Sequence, residues 1–351
     1  LYPPEYTKEY LSRPLGEAVL EIADVARRGM TLIYGPPGSG KTSIAIRLAS
    51  RVADKILWIS TTEGPDLLRE AAKRVGADPN QFDFYDFPRA FRQDIAKYIL
   101  DHIPNYGAAV VDSITGMTTK QTIDVVTHSV LYQIAKEKPI IMIAEEDTPS
   151  VAYIADHVIH VWYRKNSLGH YIRYIQLEKS RLKPPGPRYI FDIVEGAGIA
   201  YLYPISERKE VRIVEDEKLG ATAPLKSTIC IHSEKATNLI QFLEKIREES
   251  IFVKIGYWTA FKGLKLKDEQ EIVIKTFHDF FVVWQLLATG KLRPRYVVIG
   301  GLLNLSEEDR AEYIVATYGY LDYADYLLLI DIGPRYETQK MEKYCVESIY
   351  V

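Results

Sequence analysis

From Met30 onward, short apolar runs rich in Val and Ile alternate with longer amphipathic stretches. Continuous apolar runs suit strands buried on both faces of a parallel sheet, and the amphipathic stretches suit helices that cross over between them. The pattern predicts strands at Thr31–Tyr34, Ile56–Ser60, Ala108–Asp112, Ile140–Ala144 and His157–Tyr163. Helices are expected at Lys41–Val52, Pro65–Val75, Ala90–His102 and Thr122–Lys136. Tyr171–Leu177 and Tyr189–Ile193 flank Lys183-Pro184-Pro185-Gly186-Pro187, whose prolines demand a turn, so this pair reads as an antiparallel hairpin on the sheet edge.

Charge dominates Ser206-Glu207-Arg208-Lys209-Glu210 and Glu215-Asp216-Glu217-Lys218, and the segment ends at Gly220 and Pro224. The division expected is therefore a first domain at 1–205, a charged linker or edge at 206–224 and a second domain at 225–351. The apolar rhythm then resumes at Thr228–Ile231, Phe252–Ile255, Tyr296–Ile299, Tyr326–Ile330 and Cys345–Val351. These runs follow the order of the first series at an offset of roughly 190 residues. Phe84-Tyr85-Asp86-Phe87 recurs as Phe277-His278-Asp279-Phe280, and Ala109-Val110-Val111-Asp112 as Val297-Val298-Ile299-Gly300. Tandem duplication explains the match; so does the similar spacing of any two doubly wound domains.

A chain of 351 residues with 47% hydrophobic and 26% charged residues can fill one large core or two ordinary ones, which excludes disordered and collagen-like classes. Its net charge of -3 leaves no broad basic field for nucleic acid or anionic lipid. The two cysteines, Cys230 and Cys345, form no Cys-x-x-Cys pair, so they read as buried apolar filler in a reducing compartment, with no zinc site. No apolar run is long enough to span a bilayer and no signal peptide is visible at the start, so a soluble, cytoplasmic protein is expected. Sparse Asn, Gln and Met beside 25 Tyr suits a heat-loving source.

The strongest chemical signal is Gly35-Pro36-Pro37-Gly38-Ser39-Gly40-Lys41-Thr42, followed by Ser43. It fits Gly-x-x-x-x-Gly-Lys-Ser/Thr between a strand and a helix, where glycines let successive N–H groups approach phosphates at the positive end of the helix. Lys41 is placed to bridge the β- and γ-phosphates of ATP, and Thr42 to offer its hydroxyl to Mg²⁺. Asp112 ends an apolar strand at the edge where α/β sheets bind ligands, which suits a holder of Mg²⁺ or a simple turn residue. Glu63 ends the second strand and reads as the base that orients the attacking water, or as a cap at a turn. Glu145 and Glu146 leave the fourth strand near the same edge, either sensing the γ-phosphate or merely solvated.

These residues, with Thr62-Glu63-Gly64, Val110-Val111-Asp112-Ser113, Ala155-Asp156-His157-Val158-Ile159 and Gln176-Leu177-Glu178-Lys179-Ser180-Arg181, resemble the RecA superfamily. Within it the likeness is to the KaiC-like and RadB-like ATPases of archaea, over roughly Leu15 to Leu202. The segment Phe191–Ile199 is similar to the close of KaiC-like domains. The resemblance implies a RecA-like, mainly parallel α/β fold, and a Lys-x-Arg pair, Lys179 and Arg181, that reaches the γ-phosphate held by a neighbouring subunit. A solvated basic pair is the plain alternative. A finger acting in trans requires a ring or filament of this chain.

The departures narrow the reading. Where recombinases of this superfamily bind single strands, the chain has the acidic Glu145-Glu146-Asp147 and the weakly basic Gly116-Met117-Thr118-Thr119-Lys120, which disfavours DNA. Ile231-His232-Ser233-Glu234-Lys235-Ala236 lacks the phosphate-loop glycines and Gly300 replaces the acidic residue, so the second half is expected to be a degenerate RecA-like α/β domain that serves assembly or a protein partner. His157 and His160, three apart on a strand, face opposite sides and cannot chelate one ion. The sequence thus predicts a slow KaiC-like ATPase whose nucleotide state controls assembly or partner binding. The alternatives are a RadB-like accessory of DNA recombination and a nucleotide-binding adaptor without turnover.

Overall fold

The computed structural model describes residues 20–87, 94–114, 130–145, 149–186, 188–194, 198–202, 212–256 and 260–351. These divide into two compact units, one of 20–164 with 172–201 and the other of 165–171 with 202–351.

The first unit is built on a nine-stranded sheet. Its strands are β1 (Met30–Tyr34), β2 (Ile56–Ser60), β3 (Phe82–Asp86), β4 (Ala108–Asp112), β5 (Ile140–Ala144), β6 (His157–Lys165), β7 (Tyr171–Ser180), β8 (Tyr189–Val194) and β9 (Gly198–Leu202), in the order β3-β2-β4-β5-β1-β6-β7-β8-β9. The pairings from β3 through β6 are parallel, and β7 with β8 is antiparallel. Every residue of β2, β4 and β5 is buried, which is why these strands read as unbroken apolar runs. Helices α1 (Leu20–Ala26), α2 (Lys41–Val52), α3 (Pro65–Arg74), α4 (Ile95–His102), α5 (Tyr132–Ala135) and α6 (Pro149–Ile154) connect and flank them. Ile44, Ala45, Ile46, Leu48 and Ala49 give α2 its buried side. This is the mainly parallel, helix-flanked sheet expected of a RecA-like fold; the antiparallel pair β7–β8 forms as expected, but β9 lies outside it and takes the sheet edge. Strands β3 and β9 were not expected. Phe82 and Phe84 of β3 stack on each other and meet Trp58 edge-on, so aromatic packing rather than Val and Ile holds that edge.

The second unit carries a six-stranded sheet of β12 (Ser227–Ser233), β13 (Ser250–Ile255), β14 (Glu271–Ile274), β15 (Tyr296–Gly300), β16 (Tyr326–Ile332) and β17 (Glu347–Tyr350). All its pairings are parallel, in the order β14-β13-β15-β16-β12-β17. Numbered from its own first strand this is 3-2-4-5-1-6, the order of the first six strands of the other sheet. Helices α7 (Ala236–Glu244), α8 (His278–Ala288) and α9 (Glu307–Tyr318) cover it. The described part of the expected linker is a ribbon of β10 (Ile213–Asp216) and β11 (Ala221–Pro224), whose turn is organised by buried Asp216 accepting from the Lys218 and Leu219 amides. Residues 165–171 also belong to this unit: Asn166 donates to the Tyr313 hydroxyl at 2.8 Å and Ser167 to Asp309 at 2.7 Å.

The cysteines correct an expectation. Cys230 and Cys345 are joined in a disulfide with Cα atoms 5.7 Å apart, across 115 residues of sequence. Neither is free filler, and the inference of a reducing compartment loses its basis. Strand order is the reason: β17 lies directly against β12, so two distant residues meet.

Asp331 is nearly fully buried at the end of β16, and burial raises its carboxyl to about 7, against the opposing effects of the Leu303 backbone and Arg310. The folded state therefore binds this proton more tightly than the unfolded chain, whose reference value is 3.8, and stability is lost as pH rises between roughly 4 and 7. The neutral variant Asp331→Asn is expected to gain on the wild type over that window, by on the order of 4 kcal/mol at its alkaline end. Thermal unfolding of both proteins from pH 4 to 8 checks this; a constant difference between them contradicts it.

Candidate functional site

The site forms where β1 ends and α2 begins. Tyr34 closes β1, and β1 is held in parallel register by β5 on one side and β6 on the other. Gly35 then passes so close to β6 that a Cβ there would lie 1.7 Å from the Val161 carbonyl oxygen, so no other residue fits. Gly40 caps α2 at a φ of 104°, a left-handed conformation in which glycine carries no Cβ penalty. No side chain caps the helix, so its first-turn N–H groups, which lack intrahelical partners, remain for the loop. Between them Pro36, Pro37 and Gly38 form the bend, and the Ser39 hydroxyl is buried with no hydrogen-bond partner among the described residues.

Lys41 folds back along the loop, its Nζ donating to the Pro36 carbonyl at 2.9 Å. Burial lowers its pKa, opposed by the charges of Glu145 and Asp112. The next residue faces β4: Thr42 Oγ1 donates to Asp112 Oδ2 at 3.0 Å. Burial pushes the Asp112 carboxyl up to about 7, the Thr42 bond and Lys41 pull it down, and Glu63 and Glu145 push it further up. Ser43 is buried on the first turn of α2. Expected residues from β1, β2, β4 and β5 thus converge at one sheet edge. Glu146 and the 116–120 loop lie outside the described residues.

Glu63 is held by a turn that the sequence reading passed over. The Ser60 hydroxyl at the end of β2 accepts from the amides of Thr62 at 3.3 Å and Glu63 at 2.9 Å. Thr61 ties this turn to β4, its amide donating to the Asp112 carbonyl at 2.7 Å and its hydroxyl bonding Ser113. Ser60, three residues before Glu63, carried a legible signal, since Ser hydroxyls commonly bond the amides that follow them. Val161 carried none, because its role depends on strand register.

The pair Lys179 and Arg181 lies elsewhere. Thr31 is in register with His157 and Tyr34 with His160, and His157 Nδ1 is 2.9 Å from Ser180 Oγ. Both basic residues therefore sit level with the start of β1, at the opposite end from the loop. Lys179 donates to the Ala152 and Tyr153 carbonyls at 2.9 Å each, and Arg181 pairs with Asp156 at 2.9 Å. Beside them Tyr153 and Leu182 are exposed. His157 and His160 do face different surroundings: His160 stacks on Tyr34 and pairs with Glu178, which also accepts from the Tyr34 hydroxyl.

The residues fit a polyphosphate with a hard cation. Open N–H groups, a buried ammonium and an unsatisfied hydroxyl suit phosphate oxygens. The Thr42 and Asp112 oxygens, in a neighbourhood where carboxylates outnumber the single ammonium acting on Asp112, suit Mg²⁺ rather than a softer metal. At the corresponding turn of the second sheet, Ser233 turns inward to Lys235 and the helix starts without glycine. Among the described residues no group of three His, Cys, Asp or Glu could hold a metal, and no helix is long and apolar enough to cross a membrane.

No family model matches the sequence, and no curated protein matches it. Among solved structures the chain is similar to the crystal structure of the RadB recombinase, with 22% identity and a TM-score of 0.41, over 49% of this chain and 90% of that one.

Gly35→Ala is the sharpest test of the loop geometry. The methyl must displace the β6 backbone, so the variant is expected to unfold several degrees below the wild type and to lose binding of a fluorescent ATP analogue. Wild-type stability and affinity in this variant would overturn the geometry.

Proposed function

We propose that the first unit is a slow, Mg²⁺-dependent ATPase of the KaiC-like kind within the RecA superfamily, and that its nucleotide state controls assembly or partner binding. The observation that carries this reading is the Thr42–Asp112 hydrogen bond, which joins the first turn of the loop helix to the end of β4 beside Lys41 and Glu63. Gly35 to Ser43 wrap the phosphates, with Gly38, Gly40, Lys41, Thr42 and Ser43 offering backbone N–H groups while Pro36 and Pro37 shape the bend, and Lys41 exchanges the Pro36 carbonyl for the β- and γ-phosphate oxygens. Thr42 and Asp112 would hold Mg²⁺, which when bound would supply charge neutralisation on the phosphate oxygens. Glu63, fixed by Ser60, accepts a proton from the attacking water and aims it. Water is the acceptor, and a phosphoanhydride bond is broken.

Lys179 is bonded to the Ala152 and Tyr153 carbonyls and Arg181 to Asp156, away from the loop, and on this reading the two act in a neighbour's site. A guanidinium there offsets charge on the transferred phosphoryl group, an effect on the order of 10³ in rate. The working form is accordingly a homo-oligomeric ring or filament, and the second unit serves assembly or a protein partner. DNA is disfavoured because the residue leaving β5, Glu145, is acidic and faces the site.

Turnover per subunit is expected to rise with protein concentration. Glu63→Gln lowers it by roughly 10² or more while ATP still binds. Arg181→Ala and Lys41→Ala are each inactive alone, and mixing them restores part of the activity, since one contributes an intact pocket and the other an intact finger. Failure of the mixture removes the shared site; binding without turnover in the wild type points instead to an adaptor that signals by occupancy. Salt-sensitive DNA binding with DNA-stimulated turnover would favour the RadB-like alternative.

A further inference from the structure

The disulfide of the second unit joins a fully buried cysteine to a part-exposed one. Cys230 lies in the middle of β12 with no solvent exposure, whereas Cys345 is partly exposed and the next residue, Val346, is 58% exposed. Of the two cysteines, Cys345 is therefore the one nearer an external thiolate.

The strand beyond it is held by packing only in part, through the half-buried Ile349 and Val351 against the core of the second sheet. None of Glu347–Tyr350 is fully buried, and β17 is an edge strand whose one neighbour in the sheet is β12. To that packing and the Arg335 guanidinium over the Tyr350 ring, its attachment adds the backbone ladder with β12, flanked by the Val346 amide on the Thr228 carbonyl and the Val351 amide on the His232 carbonyl, at 2.9 Å each. Ser233 Oγ adds a bond to the Val351 carbonyl, also at 2.9 Å.

What β17 covers is unusual chemistry for a core. The Tyr350 ring lies 5.0 Å from that of His232. His232 is 2% exposed, and neither of its ring nitrogens has a hydrogen-bond partner among the described residues. Its register partner on the other side is Asp331, 3% exposed, with Oδ2 likewise unpartnered. Buried polar groups without partners cost free energy that contact with water removes. Exposure of this end of β12 is therefore less costly than exposure of an apolar strand, and the covalent link opposes it.

We propose that Cys230–Cys345 is a redox latch: oxidised, it keeps β17 paired on β12; reduced, it lets β17 leave and opens the β12 edge with His232 beside it. The reductant is a dithiol. Its thiolate bonds to the Cys345 sulfur as the Cys230–Cys345 bond breaks, and Cys230 departs as a thiolate that takes up a proton. The second thiolate of the reductant then bonds to its own partner sulfur and expels Cys345, which is protonated in turn. Two electrons and two protons pass from the dithiol, which closes to a disulfide, to the two cysteines.

Hydrogen exchange on the full chain, with and without dithiothreitol, tests the latch. Reduction is expected to speed exchange at the Val346 and Val351 amides by at least about tenfold, while amides inside β13 and β15 change by less than about twofold. Reoxidation restores the protection, and Cys345→Ser reproduces the reduced pattern without reductant. Unchanged protection of Val346 and Val351 after confirmed reduction overturns the proposal. So does loss of protection throughout β13, β15 and β16, which would make the bond a staple of the whole unit.

Discussion

The parallel register of β1 between β5 and β6 is the constraint on which the candidate site depends. It brings the Val161 carbonyl against Gly35, and the chain leaving β1 must then bend through glycine before α2 can start. Once α2 is placed, Thr42 falls within hydrogen-bond reach of Asp112 at the end of β4. Three elements distant in sequence thereby define one edge. The energetic cost is visible in Asp112, a carboxyl buried among other carboxylates with its ionised form disfavoured. A cation bound there would relieve that cost.

The same six-strand order in the second sheet carries no such arrangement, and the comparison isolates what the first depends on. There the turn after β12 is closed by Ser233 on Lys235, and Gly300 ends the strand corresponding to β4. Strand order alone does not make this arrangement; it also needs glycine at the turn and a carboxylate across the edge. The shared order fits both a duplication and two doubly wound domains of like topology.

Much of this was legible in the residues. Five strands and the helix Lys41–Val52 follow from apolar periodicity, and the loop follows from its own motif. β3 escaped because its inward residues are Phe82 and Phe84 with Asp83 between, too short and too polar an alternation to stand apart from a loop. The disulfide escaped for a different reason: pairing of two cysteines across 115 residues depends on β17 returning to β12, and no local pattern encodes that return. Ser60 was readable and passed over; Val161 was not readable at all.

The opposite placement of loop and basic pair gives the first sheet a direction. β7 runs antiparallel to the order set by β1 and β6, so its last residues are carried away from the loop and toward Asp156. A chain built this way presents an acceptor for basic side chains at one end of its strands and basic side chains at the other. On the proposed reading such surfaces would meet head to tail, and heterologous contacts of that kind close into rings or extend into filaments according to the rotation between neighbours. Catalysis and assembly would then be one event, since each interface formed would complete one pocket. The hydrogen bonds that now hold Lys179 on the Ala152 and Tyr153 carbonyls set the resting position from which it would have to depart.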